Sequence, residues 1–276
     1  MNTLILSLKS KPSFMLDMSP LIPEKVMGLN QAKIKQIKLV YGKETISVGS
    51  LFNVSGKAGE NLMIEHSCDK LICVGKNMSS GHLSVDGDVG DLLGQSMTNG
   101  QIDIQGHAGS WVGTAMKGGR INISGNAGDF VGAGLPGDTF GMNRGIIYIA
   151  GNVGDRLGDQ MRRGMIFVKG KAGDYCGSRM HAGTIVILDS IGKYPGNAMR
   201  RGTILLAKKP KHIAASFKSC GNLKMQFLRL FFTQLSQIDD EFNFLKKHGP
   251  LAHRFSGDLA RNGKGELLIL QAMERR

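Results

Sequence analysis

Between Gly81 and Leu206 the chain restates one unit, G-x-I-x-I-x-G-x-x-G-D-x-x-G-x-x-M-x-x, so that its glycines fall into columns. Gly81, Gly100, Gly119, Gly145, Gly164, Gly183 and Gly202 form the first column. Gly90, Gly109, Gly128, Gly154, Gly173 and Gly192 form the second, and Gly94, Gly113, Gly132, Gly158, Gly177 and Gly196 the third. The step is 19 residues throughout, except for one of 26 between Gly119 and Gly145. A fixed period of about 20 residues marks a stacked-repeat architecture, in which each unit buries its apolar side against its neighbours. Within each unit, pairs such as Leu83/Val85, Ile102/Ile104, Ile121/Ile123, Ile147/Ile149 and Ile166/Val168 alternate as a strand does. Glycine at every corner supplies tight turns, and no room remains for a helix. The expected fold is therefore all-β: a right-handed, single-stranded β-helix of about 19-residue Gly-rich repeats, with a small α/β flank at the amino terminus and a mostly helical flank at the carboxyl terminus.

Stacked turns lie roughly 4.7–4.9 Å apart, which converts sequence columns into spatial ladders. The methionines at 78, 97, 116, 142, 161, 180 and 199 read as adaptable core fillers rather than as metal-binding thioethers. Lys117, Arg162, His181 and Arg200 follow them, then Arg144, Arg163 and Arg201, and these are expected to line one edge. Two turns separate Arg162 from Arg200, on the order of 10 Å. Such an edge suits a carboxylate ligand, an extended polyanion or an acidic partner surface, because guanidinium groups pair well with carboxylates. Asp91, Asp129, Asp155 and Asp174 are expected to close turns on their own backbone rather than to hold calcium. The long step inserts seven residues between Gly132 and Gly145, and its Pro136, Asp138 and Phe140 are candidate contact residues, since insertions in repeat proteins cluster on one face.

The flanks read differently. Residues 1–44 form a cap module, in which Ile5, Leu6 and Leu8 imply a first strand and Val26, Leu29, Ile34 and Ile37 a helical pattern broken at Gly28. The repeat domain spans 45–207 and begins with two degenerate turns marked by Gly56 and Gly75. The 208–276 extension opens on the basic break Lys208-Lys-Pro-Lys-His212. An amphipathic helix follows over Leu223–Lys247 on the stripe Met225, Leu228, Phe232, Leu235, Phe242 and Leu245, and then a terminal strand that caps the stack or reaches a neighbour. The net charge of +13 resides in these flanks: residues 56–207 carry 15 Lys/Arg against 13 Asp/Glu, whereas 208–276 carry 13 against 6. Nothing accompanies the charge that resembles a nucleic-acid recognition motif. Four cysteines without paired spacing imply a reducing, cytoplasmic setting, and no apolar run is long enough to span a bilayer. The histidines lack metal-ligand spacing, no Gly-rich phosphate loop or nucleophile elbow occurs, and Cys176 has no evident base. No catalytic site and no metal site are expected in this chain.

The repeat, with G-N-A-G-D-F-V-G at 125–132 and the loop G-D-T-F-G-M-N-R-G at 137–145, resembles the C subunit of formylmethanofuran dehydrogenase over residues 16–207. The coil is also similar to the C-terminal glycine-repeat domain of the large glutamate synthase subunit. The tail, with Phe255-Ser-Gly-Asp-Leu-Ala260 and Gly263-Lys-Gly-Glu266, is similar to the bacterial form found in the formyltransferase/hydrolase complex of methylotrophs. The resemblance implies a non-catalytic scaffold within a complex that takes formyl-tetrahydromethanopterin to formate through a methanofuran- or methylofuran-type carrier during formaldehyde oxidation. It implies as partners a formyltransferase subunit, an amidohydrolase-like subunit that holds the metals, and a further dehydrogenase-like subunit. No cofactor would be bound covalently by this chain. The carrier's polyglutamate tail would meet the basic residues Lys117, Arg144, Arg162, Arg163, His181, Arg200 and Arg201. Two other readings stand beside it: a structural interaction module like the glutamate synthase coil, and a polyanion- or nucleic-acid-binding β-helix.

Overall fold

The alternating apolar residues of each repeat lie on a short strand and share one face. Leu83 and Val85, Ile102 and Ile104, and Ile121 and Ile123 are all buried, as the two-residue period of a strand requires. A computed structural model describes residues 3–238, 243, 245 and 250–271. Its main sheet has thirteen strands, numbered here β1 (Thr3–Leu8), β2 (Phe52–Gly56), β3 (Asn61–Ser67), β4 (His82–Gly87), β5 (Gln101–Ile104), β6 (Lys117–Ile123), β7 (Arg144–Ile149), β8 (Met165–Val168), β9 (Thr184–Ile187), β10 (Arg201–Leu206), β11 (Lys218–Lys224), β12 (Leu251–Gly257) and β13 (Lys264–Leu270). From β3 to β10 every strand pairs in parallel with the next, so that Ile102, Ile121, Ile147, Ile166, Ile185 and Ile204 stand in one row. A second parallel row runs through Val89, Ala108, Ala127, Val153, Ala172 and Ile191. Each repeat is thus one layer of a β-rich stack, in register with the layers on either side.

The glycine columns have three separate causes. Third-column glycines adopt a positive φ, as at Gly94 (+64°), and a Cβ there would strike the δ-methyl of Ile121, an isoleucine of a following layer. At first-column Gly119 a Cβ would sit 2.7 Å from the ε-methyl of Met97, whose side chain is fully buried beneath it. The whole methionine column is buried in this way. Second-column glycines make room for polar groups: a Cβ on Gly109, Gly154, Gly173 or Gly192 would collide with an oxygen of the preceding aspartate.

Those aspartates do not close turns on their own backbone, contrary to the expectation. Asp129 Oδ1 accepts the backbone N–H of Asp155 at 2.8 Å, Asp155 that of Asp174 at 2.7 Å, and Asp174 that of Lys193 at 2.7 Å. Three residues earlier in the repeat, Asp88, His107, Asn126 and Asn152 form a parallel ladder, each accepting the N–H of the residue one layer on. The side chain is one layer short of its partner because the in-register stack places that N–H directly above it.

The ends depart further from expectation. Gly56 does not belong to the glycine columns; it pairs antiparallel with Leu4. The place beneath β3 is taken by β1, in parallel, because Leu4, Leu6 and Leu8 alternate as the repeat strands do and bury the same face. At the other end β13 continues the parallel row, Ile204 against Leu267 and Leu206 against Ile269, and β12 and β11 fold back on it antiparallel. Among the described residues the carboxyl-terminal flank is therefore not mostly helical: three segments are strands, and a helix runs from Phe227 to Ile238. Leu223 belongs to β11 instead, since its backbone pairs with Ala252, while Phe242 lies outside the described residues. Leu228, Phe232 and Leu235 of the helix pack with Tyr148, Phe167, Val186, Leu205 and Leu268, the outward residues of β7 to β10 and β13. That cover explains why the later strands are apolar on both faces. In the earlier strands the outward residues stay polar: Asp103 Oδ2 lies 2.5 Å from His82 Nε2 and accepts from Gln101 at 2.7 Å. The amino-terminal helices are Pro23–Val26, Gln31–Gln36 and Val48–Leu51. No helix among the described residues is long and apolar enough to cross a membrane.

Gly154→Ala should lower stability by about 2–4 kcal/mol, because its methyl group expels the Asp129 carboxylate from the Asp155 N–H and leaves a polar group unpaired. The urea midpoint reads this out; a value equal to that of the unmodified chain would show that the ladder holds nothing.

Candidate functional site

The residue after a buried methionine sits where one layer passes to the next, and in the later layers this residue is basic. Arg162, His181 and Arg200 occupy this place in three successive layers. Beside them the inserted segment leaves the stack and returns to it. Its base is closed by Met142 N–H donating to Gly132 O at 2.9 Å, and its tip is a tight turn in which Asp138 N–H donates to Leu135 O at 2.9 Å. Asp138 Oδ2 accepts the Leu135 N–H in return at 3.1 Å. The loop leans over the later layers: the Arg162 guanidinium lies 4.6 Å from the centre of the Phe140 ring, and His181 meets the same ring edge-on at 4.8 Å.

Between loop and layers lies a cleft of about 460 Å³, lined by Asp138, Thr139, Phe140, Gln160, Arg179, His181, Ala198, Arg200 and Arg261. Arg179 is fixed by the buried Asp159, through Nε at 2.9 Å and a second bond from Nη2, and Ser178 Oγ donates to the same carboxylate at 2.8 Å. That hydrogen bond and the Asp159 charge raise the Arg179 pKa above its ordinary value. Burial lowers the pKa of His181 below the ordinary imidazole value, and Arg200 and Arg162 lower it further. Two guanidinium groups converging on a neutral imidazole are poised for an anion, which would relieve the cationic crowding and favour imidazolium.

The sequence-derived candidates divide. His181, Arg200, Asp138 and Phe140 line this cleft, and Arg162 is brought beside it against the Phe140 ring without being part of the lining. Pro136 faces a neighbouring hollow with Trp111, Phe130, Leu135, Arg156 and Arg179. Its wall is the face-to-face stack of Trp111 on Phe130, with centroids 4.2 Å apart; both have a positive φ and stand outward, whereas Val112 and Val131 beside them are buried. Lys117 and Arg144 are exposed partners on β6 and β7, and Arg201 pairs with Lys264 on β13; these three and Arg163 lie outside the cleft lining. Sequence reasoning missed Arg179, Gln160 and Arg261. Arg261 reaches the cleft because Asp258 binds the Ala198 N–H at 2.9 Å and anchors the turn before β13 to the last layer. Its only signal was the Ser-Gly-Asp-Leu-Ala-Arg turn itself. Cys176 is fully buried and burial pushes its thiol up to about 12, which removes it as a nucleophile. Among the described residues no cluster of His, Cys, Asp or Glu is arranged to hold a metal ion.

Replacing Arg200 with glutamine should move the His181 titration upward, toward the ordinary value near 6.5, by removing one of the two like charges beside it. NMR titration of the imidazole measures it, and an unmoved midpoint would refute the electrostatic coupling.

The chain matches the family model described as GXGXG motif over residues 73–226. It is 37% identical over 92 residues to the C subunit of the tungsten-containing formylmethanofuran dehydrogenase 2 of Methanococcus maripaludis, covering 33% of this chain and 34% of that protein. With the protein of the same name from Methanothermobacter marburgensis it shares 32% over 94 residues, 32% of this chain and 35% of that one. The chain thus spans about a third of the length of the curated relatives it matches. Among solved structures, a chain of the formyltransferase/hydrolase complex FhcABCD from Methylorubrum extorquens, in complex with methylofuran, superposes with a TM-score of 0.91 at 34% identity, covering 97% of this chain and 99% of that chain.

Proposed function

Because the chain belongs to the GXGXG family, in its formylmethanofuran dehydrogenase branch, we propose that it is the non-catalytic scaffold subunit of a formyltransferase/hydrolase complex. The observation that carries this reading is the end-to-end superposition on a chain of a methylofuran-bound complex, which includes the tail and not the repeat alone. In this reading the stack is a right-handed β-helix, the hand expected when parallel strands are joined by crossovers. Its partners are a formyltransferase subunit, an amidohydrolase-like subunit with the metals and a dehydrogenase-like subunit, all in the cytoplasm. The complex takes formyl-tetrahydromethanopterin to formate through a methanofuran-type carrier. The chain's own part is to hold the carrier's acidic tail: His181, Arg200 and Arg261 of the cleft, with Arg162 against Phe140 beside it, offer several weak, exposed attractions that add up to retention while leaving the tail free to slide.

A second use of the same cleft is favoured by Asp138 in its lining, which competes with a bound carboxylate: the arginines then meet acidic residues of a partner subunit, as in a purely structural module. Two measurements separate them. Purification of the native chain should bring formyltransferase and amidohydrolase-like subunits with it, and a chain that elutes alone sinks the assignment. In the assembled complex, Arg162→Glu with Arg200→Glu should weaken polyglutamate binding at low salt by about tenfold, since each exposed pair is worth about 0.2–1 kcal/mol and is replaced by repulsion. Loss of a subunit with carrier affinity intact would favour the structural use. Adding polyglutamate to the complex should also raise the His181 midpoint, and binding should strengthen as pH falls through it, because the added carboxylates stabilise imidazolium.

A further inference from the structure

A second basic concavity lies apart from the arginine cleft, at the aspartate corner of the last layers. The period ends at Lys208-Lys209-Pro210-Lys211-His212, and this segment borders a hollow of about 570 Å³ together with Lys171, Asp174 and Lys193. An adjoining hollow of about 310 Å³ shares Lys193 and His212 and adds Tyr194, Ile213 and Ala214. The acids here are already engaged. Asp174 Oδ1 holds the Lys193 N–H at 2.7 Å, and Asp189 is bonded by Lys208. Lys193, Lys209 and Lys211 have no ion-pair partner among the described residues. Tyr194 ends the outward aromatic row: it stacks on Tyr175 at 5.1 Å, and half of its surface is open.

The chemistry of the donors narrows the ligand. Backbone N–H groups that would cradle a compact phosphate are taken by the ladders: Lys171 N–H by Asn152 at 2.8 Å, Lys193 N–H by Asp174, and Gly192 N–H by Ala172 O at 3.0 Å. No arginine lines either hollow, so bidentate recognition of one anion is absent. What remains is a lining of several lysines, each contributing a single ammonium group, that adjoins the Tyr194 ring. We propose that this concavity is a second anion-binding site, which takes a linear chain bearing spaced carboxylates, with Tyr194 against the chain's methylene segments. The site does not depend on the carrier reading of the arginine cleft. The carboxylate chain is either a free small molecule or an acidic segment of a partner subunit, and the experiment separates these sources.

Hexaglutamate is titrated into the purified complex carrying Arg162→Glu and Arg200→Glu, which silences the first cleft, with and without Lys209→Glu and Lys211→Glu. Both lysines are exposed and outside the core, and an unchanged urea midpoint verifies folding. Low-salt affinity is expected to fall about tenfold in the lysine variant, the loss of two exposed pairs, and Tyr194→Ala should weaken it further. Free hexaglutamate binding to an intact complex identifies a small-molecule chain. Release of a subunit by the lysine variant, reproduced by hexaglutamate competition, identifies a partner segment. Equal affinity with and without the lysines, or tighter binding of a thymidine hexanucleotide than of hexaglutamate, overturns the proposal.

Discussion

Adjacent layers of this protein approach so closely that a single carbon atom at the wrong place displaces a side chain of the layer below. The second-column glycines show the constraint best. The aspartate of one layer must reach the N–H of the next, and the path of its carboxylate passes through the space a Cβ of that layer's glycine would fill. Removing the methyl group lets a short polar side chain satisfy a backbone donor that the turn leaves free, at no cost in burial. The same logic, with methionine and isoleucine methyl groups in place of oxygen, accounts for the other two columns. Apolar inside, each layer is held to its neighbour by contacts of one repeating kind.

A stack of this sort has two raw ends, and unpaired strand edges invite association with other chains. Here the chain closes its own ends with non-repeat strands. β1 slides beneath the first layer and β2 turns back upon it; β13 extends the last layer and carries β12 and β11. The closing hairpin also brings the Phe227–Ile238 helix onto the outward face of the later strands, and it delivers Arg261 to the cleft. One anchoring residue, Asp258, thereby serves both stability and the candidate site.

Function concentrates where the repeat is broken. The layers supply a regular row of cationic corners, but a regular row has no enclosed volume. The inserted loop provides the wall, and its Phe140 ring takes the Arg162 guanidinium and the His181 ring together. The lysine concavity likewise forms where the period stops, because the departing segment 208–212 lies beside corners that would otherwise be flat.

From the sequence alone came the period, the in-register columns, the isoleucine and methionine interior, the basic corners and the loop beside them. These follow from the repeat, since a fixed offset between equivalent residues dictates which are neighbours before any tertiary contact is known. Tertiary structure decided the rest. That Asp129 serves Asp155 and not its own turn depends on the rise between layers. That Thr3–Leu8, rather than residues 45–56, pairs in parallel beneath Asn61–Ser67 depends on which alternating strand reaches that place. One signal was present and unread: Tyr148, Phe167, Val186 and Leu205 are apolar where Ser84, Asp103 and Asn122 are polar, which marks a covered face. Arg261 left no such trace, for it enters the cleft 61 residues after Arg200 through a fold-back that no period encodes.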